Sequence, residues 1–251
     1  MIKNNQQENY FSDLVFNFED RRVVVVGGSK GIGIQLVHRF ISSGAKVISI
    51  SRTQSSEPTG AEFMPLDIRK EQDIIHAFKD IESRGKVDFL INMAAINYFR
   101  KYNEIVMSEW DDVFKVNLRA MFIICREVSR SMKKMNYGRI INVSSIAGRH
   151  RSISSGIHYV SSKAGVIGLT RQLSFELGPY GINVNAVCPS QTYTKMLSDT
   201  MTSQQQKKLA SLIPLRRIAE IDEQVGPIMF LCSSAASYIN GAVIDVNGGQ
   251  I

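Results

Sequence analysis

The sequence predicts an α/β fold, a doubly wound, mostly parallel sheet of seven strands flanked by helices on both faces. Three observations predict it. Short β-branched runs alternate with longer amphipathic stretches along most of the chain. The first run, Val23-Val24-Val25-Val26, is continuous rather than alternating, which suits a strand buried on both faces. A glycine-rich turn, Gly27-Gly28-Ser29-Lys30-Gly31-Ile32-Gly33, separates that run from the first amphipathic stretch.

The elements follow in order. Residues 1–20 are polar with a few aromatics and are expected to be a lead-in that packs near Phe16 or Phe18. After the strand over 23–26 and the glycine turn, Ile34, Leu36, Val37, Phe40 and Ile41 mark an amphipathic helix, which Gly44 ends. Strands are expected over 46–51, 62–66, 87–92, 139–144, 182–187 and 242–246, and helices over 71–82, 108–134, 157–177 and 222–232. Two longer polar segments, 97–106 and 190–211, interrupt the rhythm. Insertions beyond the carboxyl ends of the strands are where such sheets bind ligands. No linker or repeat divides the chain, so one domain over 21–251 is expected.

Composition narrows the classes. With 251 residues, 44% hydrophobic and 21% charged, 18 Gly and 6 Pro, the chain is neither disordered nor collagen-like. A net charge of +7 admits nucleic acid, an anionic membrane or an anionic ligand. Cys125, Cys188 and Cys232 are sparse and lack CxxC spacing, which argues against a disulfide framework or a zinc site. Residues 1–11 lack the apolar core of a secretory signal, and no run approaches the roughly 18 apolar residues of a membrane span. A cytoplasmic protein is expected.

Glycines at 27, 28, 31 and 33 allow a tight turn and close approach of a pyrophosphate, which the following helix N-terminus favours. The next strand ends Ser51-Arg52 without the carboxylate that holds an NAD ribose. Arg52 and Lys30 suit a ribose 2′-phosphate instead, by charge-assisted hydrogen bonds. Tyr159 and Lys163 stand at i and i+4, which puts both on one face of the helix over 157–177. An ammonium there is expected to lower the phenol pKa and make Tyr159 a usable general acid.

The Gly-x-x-x-Gly-x-Gly spacing, Ser145 14 residues before Tyr159, and the Tyr-x-x-x-Lys pair together resemble the short-chain dehydrogenase/reductase family in its single-domain form. The resemblance runs from about residue 18 to the C-terminus. It implies a Rossmann-type fold and a catalytic set of Asn117, Ser145, Tyr159 and Lys163. Ser145 would hold the substrate carbonyl, with Ser144 as competitor; Tyr159 would transfer the proton and Asn117 support a proton relay to Lys163. It implies NADP(H) contacts from Gly27, Ser29, Lys30, Gly31, Ile32, Gly33, Ser51, Arg52, Asp67, Ile68, Asn92, Ala94, Tyr159, Lys163, Pro189, Thr192 and Thr194. Asp67 would face the adenine or cap the next helix. Val26, Met93, Ala95 and Ser190 depart from the family's usual residues.

The implied reaction is reversible reduction of a ketone to a secondary alcohol, with no metal. Arg100 and the run Arg149-His150-Arg151 flank the expected pocket and suggest a small polar or anionic substrate such as a keto sugar acid. The segments over 97–126 and 192–196 are similar to hexonate dehydrogenases. A 3-oxoacyl-carrier-protein reductase is the alternative, and a non-catalytic NADP-binding regulator a remote one. The basic residues are dispersed without an aromatic stripe, which argues against nucleic acid. The helices over 108–134 and 157–178 match the family's subunit-contact helices and imply a homotetramer.

Overall fold

The computed structural model describes residues 15–152, 155–194, 197 and 201–251. Seven strands, β1 (Arg22–Val26), β2 (Lys46–Ser51), β3 (Glu62–Pro65), β4 (Phe89–Asn92), β5 (Gly138–Val143), β6 (Ile182–Pro189) and β7 (Val243–Val246), form one sheet in the order β3-β2-β1-β4-β5-β6-β7. Every pairing is parallel. The order reverses between β1 and β4, and such a switch point opens a crevice at the carboxyl ends of the strands.

The continuous valine run of β1 explains the two-sided burial. Val24 and Val26 join one core with α2 (Glu71–Ser83), α4 (Ala120–Met135) and α6 (Ile157–Leu177). Val23 and Val25 join the opposite core with α1 (Gly31–Ser42) and α8 (Ile221–Cys232). Successive side chains of a strand point to opposite faces, so an all-apolar strand feeds both. Phe18 packs into the second core against Phe40 and Phe89, with ring centroids 5.3 and 5.4 Å away, and stacks on Phe16.

Several boundaries differ from expectation. The fourth strand starts at Phe89, because Asp88 turns its carboxylate to the Arg22 N–H and the Arg21 guanidinium. The helix expected over 108–134 is α3 (Met107–Phe114) and α4 joined through one wide π turn, Lys115–Arg119, where the Ala120 N–H reaches back to the Lys115 carbonyl. The polar segment over 190–211 contains α7 (Ser203–Ser211), capped by Thr202 and Gln205. Residues Lys195, Met196 and 198–200 of that segment, and Tyr10 and Phe11 of the lead-in, lie outside the described residues. Among the described residues no helix is long and apolar enough to cross a membrane.

Candidate active site

The glycine turn joins β1 to α1 and is shaped by contacts only glycine allows. A Cβ on Gly33 would lie 2.1 Å from the Gly27 carbonyl oxygen, and one on Gly27, whose φ is +96°, 2.8 Å from the Ala94 nitrogen. Helix α1 starts at Gly31 with no side chain capping it; the Gly33 N–H turns back to the Lys30 carbonyl, which leaves those of Gly31 and Ile32 for a ligand. Thr194 stands beside Gly31, its methyl 3.5 Å from where a Cβ would sit, which brings the post-β6 segment to the turn. These features fit a pyrophosphate: a close backbone cradle, free helix N–H groups and no competing carboxylate.

Around the cradle, Lys30 and Arg52 are exposed, and Ser29 and Ser51 are partly buried, with the Ser51 hydroxyl donating to the Thr53 carbonyl. Asp67 does not cap α2, whose N-cap is Lys70. Its carboxylate accepts from the Arg69 N–H and Nε at 3.1 and 3.0 Å. Arg69, and at longer range Arg52, hold it below the usual carboxylate range. Ile68 packs against the core of α2 and α4. Pro189 and Thr192 are buried, and the Thr192 hydroxyl donates to the Ser190 carbonyl. Ala94 donates its N–H to Val26. Asn92 is different: its amide points into the core, to Asn142 Oδ1 at 3.0 Å and the Cys125 sulfur at 3.3 Å. Its side chain ties β4 to β5 instead of reaching the cradle.

The residues of the expected catalytic set meet at the carboxyl end of β5. Ser144 is buried and spends its hydroxyl on the Lys163 carbonyl at 2.8 Å, binding β5 to α6. Ser145 is partly buried and is the N-cap of the short helix α5 (Ile146–Arg149), accepting from the Ala147 N–H. Its hydroxyl acts on the Tyr159 phenol, favouring the ionised form against burial. Of the two serines, Ser145 is therefore the one facing the phenol. Lys163 is 1% exposed, donates to the Val143 carbonyl at 2.8 Å, and stands 5.7 Å from the Tyr159 ring centroid. Asn117 lies in the π turn. Its side chain replaces backbone partners, accepting from the Ile96 N–H and donating to the Ile96 carbonyl and the Ser162 hydroxyl.

The electrostatics correct one expectation. Tyr159 is pushed above the ordinary phenol range by burial, and only Ser145 pulls it back. Lys163 is not among the groups that shift it, and burial depresses the lysine itself, to about 8. Desolvation sets the direction of both shifts.

Two of the four residues expected to bind a substrate anion already have a partner. Arg149 is paired with Asp245, and Arg100 with Glu109. A guanidinium held by a carboxylate has little field left for a second anion. His150 and Arg151 are exposed. A polar cluster lies at the start of α6, and in it His158 is fully buried packing, as its place on the helix suggests. Asn97 donates to Ser155, His158 accepts the Tyr159 N–H, and the Tyr98 ring lies 6.0 Å from the imidazole. Asn97 Oδ1 and His158 Nε2 are buried without a partner. Nothing in the sequence spacing marks Asn97, and His158 reads as packing. Among the described residues no group of His, Cys, Asp or Glu could hold a metal ion.

Comparison with known proteins agrees with this arrangement. A family model described as enoyl-(acyl carrier protein) reductase matches residues 26–250. The chain is 32% identical over 239 residues to the 3-oxoacyl-[acyl-carrier-protein] reductase FabG of Aquifex aeolicus, covering 90% of this chain and 96% of that protein. It is 34% identical over 237 residues to the L-xylulose reductase of Bos taurus, covering 91% and 96%. Among solved structures, a short-chain dehydrogenase from Leptospira borgpetersenii with bound NAD+ superposes with a TM-score of 0.88 at 30% identity, covering 93% of this chain and 94% of that one. A Beutenbergia cavernae protein described as an NAD(P)-dependent gluconate 5-dehydrogenase, with bound NADP, gives 0.87 at 29% identity, covering 94% and 98%. Sheet order, glycine cradle, the Ser145, Tyr159 and Lys163 cluster, and these matches lead to one assignment: the chain is an oxidoreductase of the short-chain dehydrogenase/reductase family.

Proposed function

We propose that the protein reduces a ketone of a small polar substrate to a secondary alcohol, reversibly and with NADP(H). The observation that carries this is the meeting of Ser145, Tyr159 and Lys163 at the strand ends beside the glycine cradle. In this reading the cradle of Gly27, Gly31, Ile32 and Gly33 holds the pyrophosphate, with Thr192 and Thr194 across from it. Lys30 and Arg52 hold the 2′-phosphate, since β2 ends at Ser51 and neither Ser51 nor Arg52 offers a carboxylate. The cofactor supplies the hydride. Ser145 holds the carbonyl oxygen, and Tyr159, kept protonated by its burial, gives the oxygen its proton. Lys163 lies behind the phenol as a depressed ammonium able to return a proton, and Asn117 fixes the helix turn that supports it.

Two substrate classes compete. The partly exposed, hydrogen-bonded Asn97 and Ser155 side chains before α6 favour a hydroxylated ketone, whose hydroxyl both accepts and donates. The reductases of acyl-carrier-protein thioesters among the relatives favour a 3-oxoacyl thioester. An NADPH-oxidation screen over keto sugars, keto acids and 3-oxoacyl thioesters decides between them. Turnover of none, or equal rates with NADH, rejects the reading. The active protein is further proposed to be a cytoplasmic, single-domain homotetramer; a monomer mass by light scattering rejects that assembly.

A further inference from the structure

We propose that Arg149 and Asp245 are positioning residues for Ser145, a clamp that holds the short helix carrying the serine against the edge strand β7. The proposal rests on the reading of Ser145 as the group that holds the carbonyl.

The geometry forms a closed circuit. Ser145 is the N-cap of α5 and Arg149 its last residue, so the two ends of one turn are the serine and the guanidinium. Arg149 meets Asp245 through Nε at 3.1 and 3.2 Å and through Nη2 at 2.9 Å, a two-pronged grip that fixes direction as well as distance. Asp245 lies on β7, in register with Cys188 of β6. The Ser144 N–H donates to the Val187 carbonyl at 2.8 Å, which ties the serine segment to β6 beside the buried Cys188, whose thiol also feels the charges of Arg149 and Asp245. The circuit thus runs from Ser145 through α5 to Arg149, across to Asp245, over to Cys188 and back to Ser145.

A four-residue helix has no cooperative stability of its own, so its orientation comes from its ties. On its inner side Gly148 rests on α6, where a Cβ would lie 2.6 Å from the Lys163 carbonyl carbon. That contact stops α5 from moving inward. Among the described residues, the Arg149 grip is the side-chain tie that holds its outer end to β7. Both partners of the grip are partly exposed, and such pairs contribute little to global stability. Its value is local, in the placement of one hydroxyl.

The test uses Arg149→Gln, Asp245→Asn and the reversed pair Arg149→Asp/Asp245→Arg in the full chain. Two quantities are measured. The first is kcat and KM for a ketone turned over by the wild type. A misplacement of about 1 Å in a reacting group costs up to about 100-fold. Each single variant is therefore expected to lose about 10- to 100-fold in kcat with KM unchanged, and the reversed pair to recover. The second is alkylation by iodoacetamide, mapped by mass spectrometry. All three cysteines are buried, so Cys125 and Cys232 report global opening. The singles are expected to expose Cys188 alone, and the reversed pair to protect it again. A raised KM in Arg149→Gln, with Asp245→Asn unaffected or tighter, overturns the proposal in favour of a substrate-binding Arg149. Cys188 protected in both singles also overturns it. The alkylation arm needs no substrate, so a failed reduction screen counts against the assigned reaction and leaves the clamp to be judged on Cys188.

Discussion

The Lys163 ammonium lies 5.7 Å from the centroid of the Tyr159 ring and donates its hydrogen bond to the Val143 carbonyl, at 2.8 Å. The end of β5 therefore anchors the lysine, and the phenol is its neighbour across the ring. Burying an ammonium with a single carbonyl partner costs free energy, and this is why Lys163 is depressed to about 8.

That cost has a direction with pH. The unfolded chain keeps Lys163 charged up to its ordinary value of 10.5, the folded chain only up to about 8. Between the two the unfolded state binds the extra proton, so this group's contribution to stability rises with pH across that window. Lys163→Met is expected to have a higher urea midpoint than the wild type at pH 7. The gap should shrink as pH rises from 8 toward 10.5. A wild-type advantage at pH 7 would contradict the buried charge.

Tyr159→Phe removes the proton donor and leaves the ring in place. Turnover is expected to fall by about 10²- to 10⁴-fold, the usual share of general acid catalysis. NADPH affinity, read by fluorescence titration, should hardly change. Ser145→Ala should behave alike, whereas Ser144→Ala should lower the melting temperature, because its hydroxyl ties β5 to α6.

Arg52→Asp places a carboxylate at the end of β2, near Asp67, whose carboxylate already feels the Arg52 charge. Binding of NADPH should weaken and the preference move toward NADH. Measured dissociation constants for both cofactors check this. An unchanged ratio removes Arg52 from the phosphate site.

Gly33→Ala forces a methyl group to within 2.1 Å of the Gly27 carbonyl oxygen. Overpacking of this kind costs about 1–3 kcal/mol, and here it also pushes α1 off the cradle. Loss of both stability and cofactor binding is expected. Gly31→Asn is the contrast. Gly31 has φ +55° and no atom nearer than 3.5 Å, and Asn tolerates that conformation, so stability should survive, whereas the new side chain would point toward Thr194 across the cradle and cofactor binding should be lost.

The long helix illustrates what spacing can and cannot convey. Apolar residues from Val113 to Met132 keep helical periodicity, so a helix across this region was legible. The wide turn at Lys115–Arg119 was not, because its cause is the Asn117 side chain bonding to Ile96, 21 residues away. Similarly, Ser145 and Ser144 are neighbours of the same type. Only the Lys163 carbonyl, which takes the Ser144 hydroxyl, separates their roles.

Local chemistry by itself determined the strand–turn–helix opening, the seven-strand alternation and the shared helix face of Tyr159 and Lys163. Each of these depends on residues a few positions apart. The tertiary structure decided where charges end up. Arg149 and Asp245 are 96 residues apart, and Arg100 meets Glu109 only because a loop folds onto α3. Two of the four basic residues that the sequence offered to a substrate anion, Arg100 and Arg149, were thus claimed by carboxylates of the same chain. Burial likewise, and not Lys163, set the direction of the Tyr159 shift, since desolvation is set by everything packed around a group and by no motif.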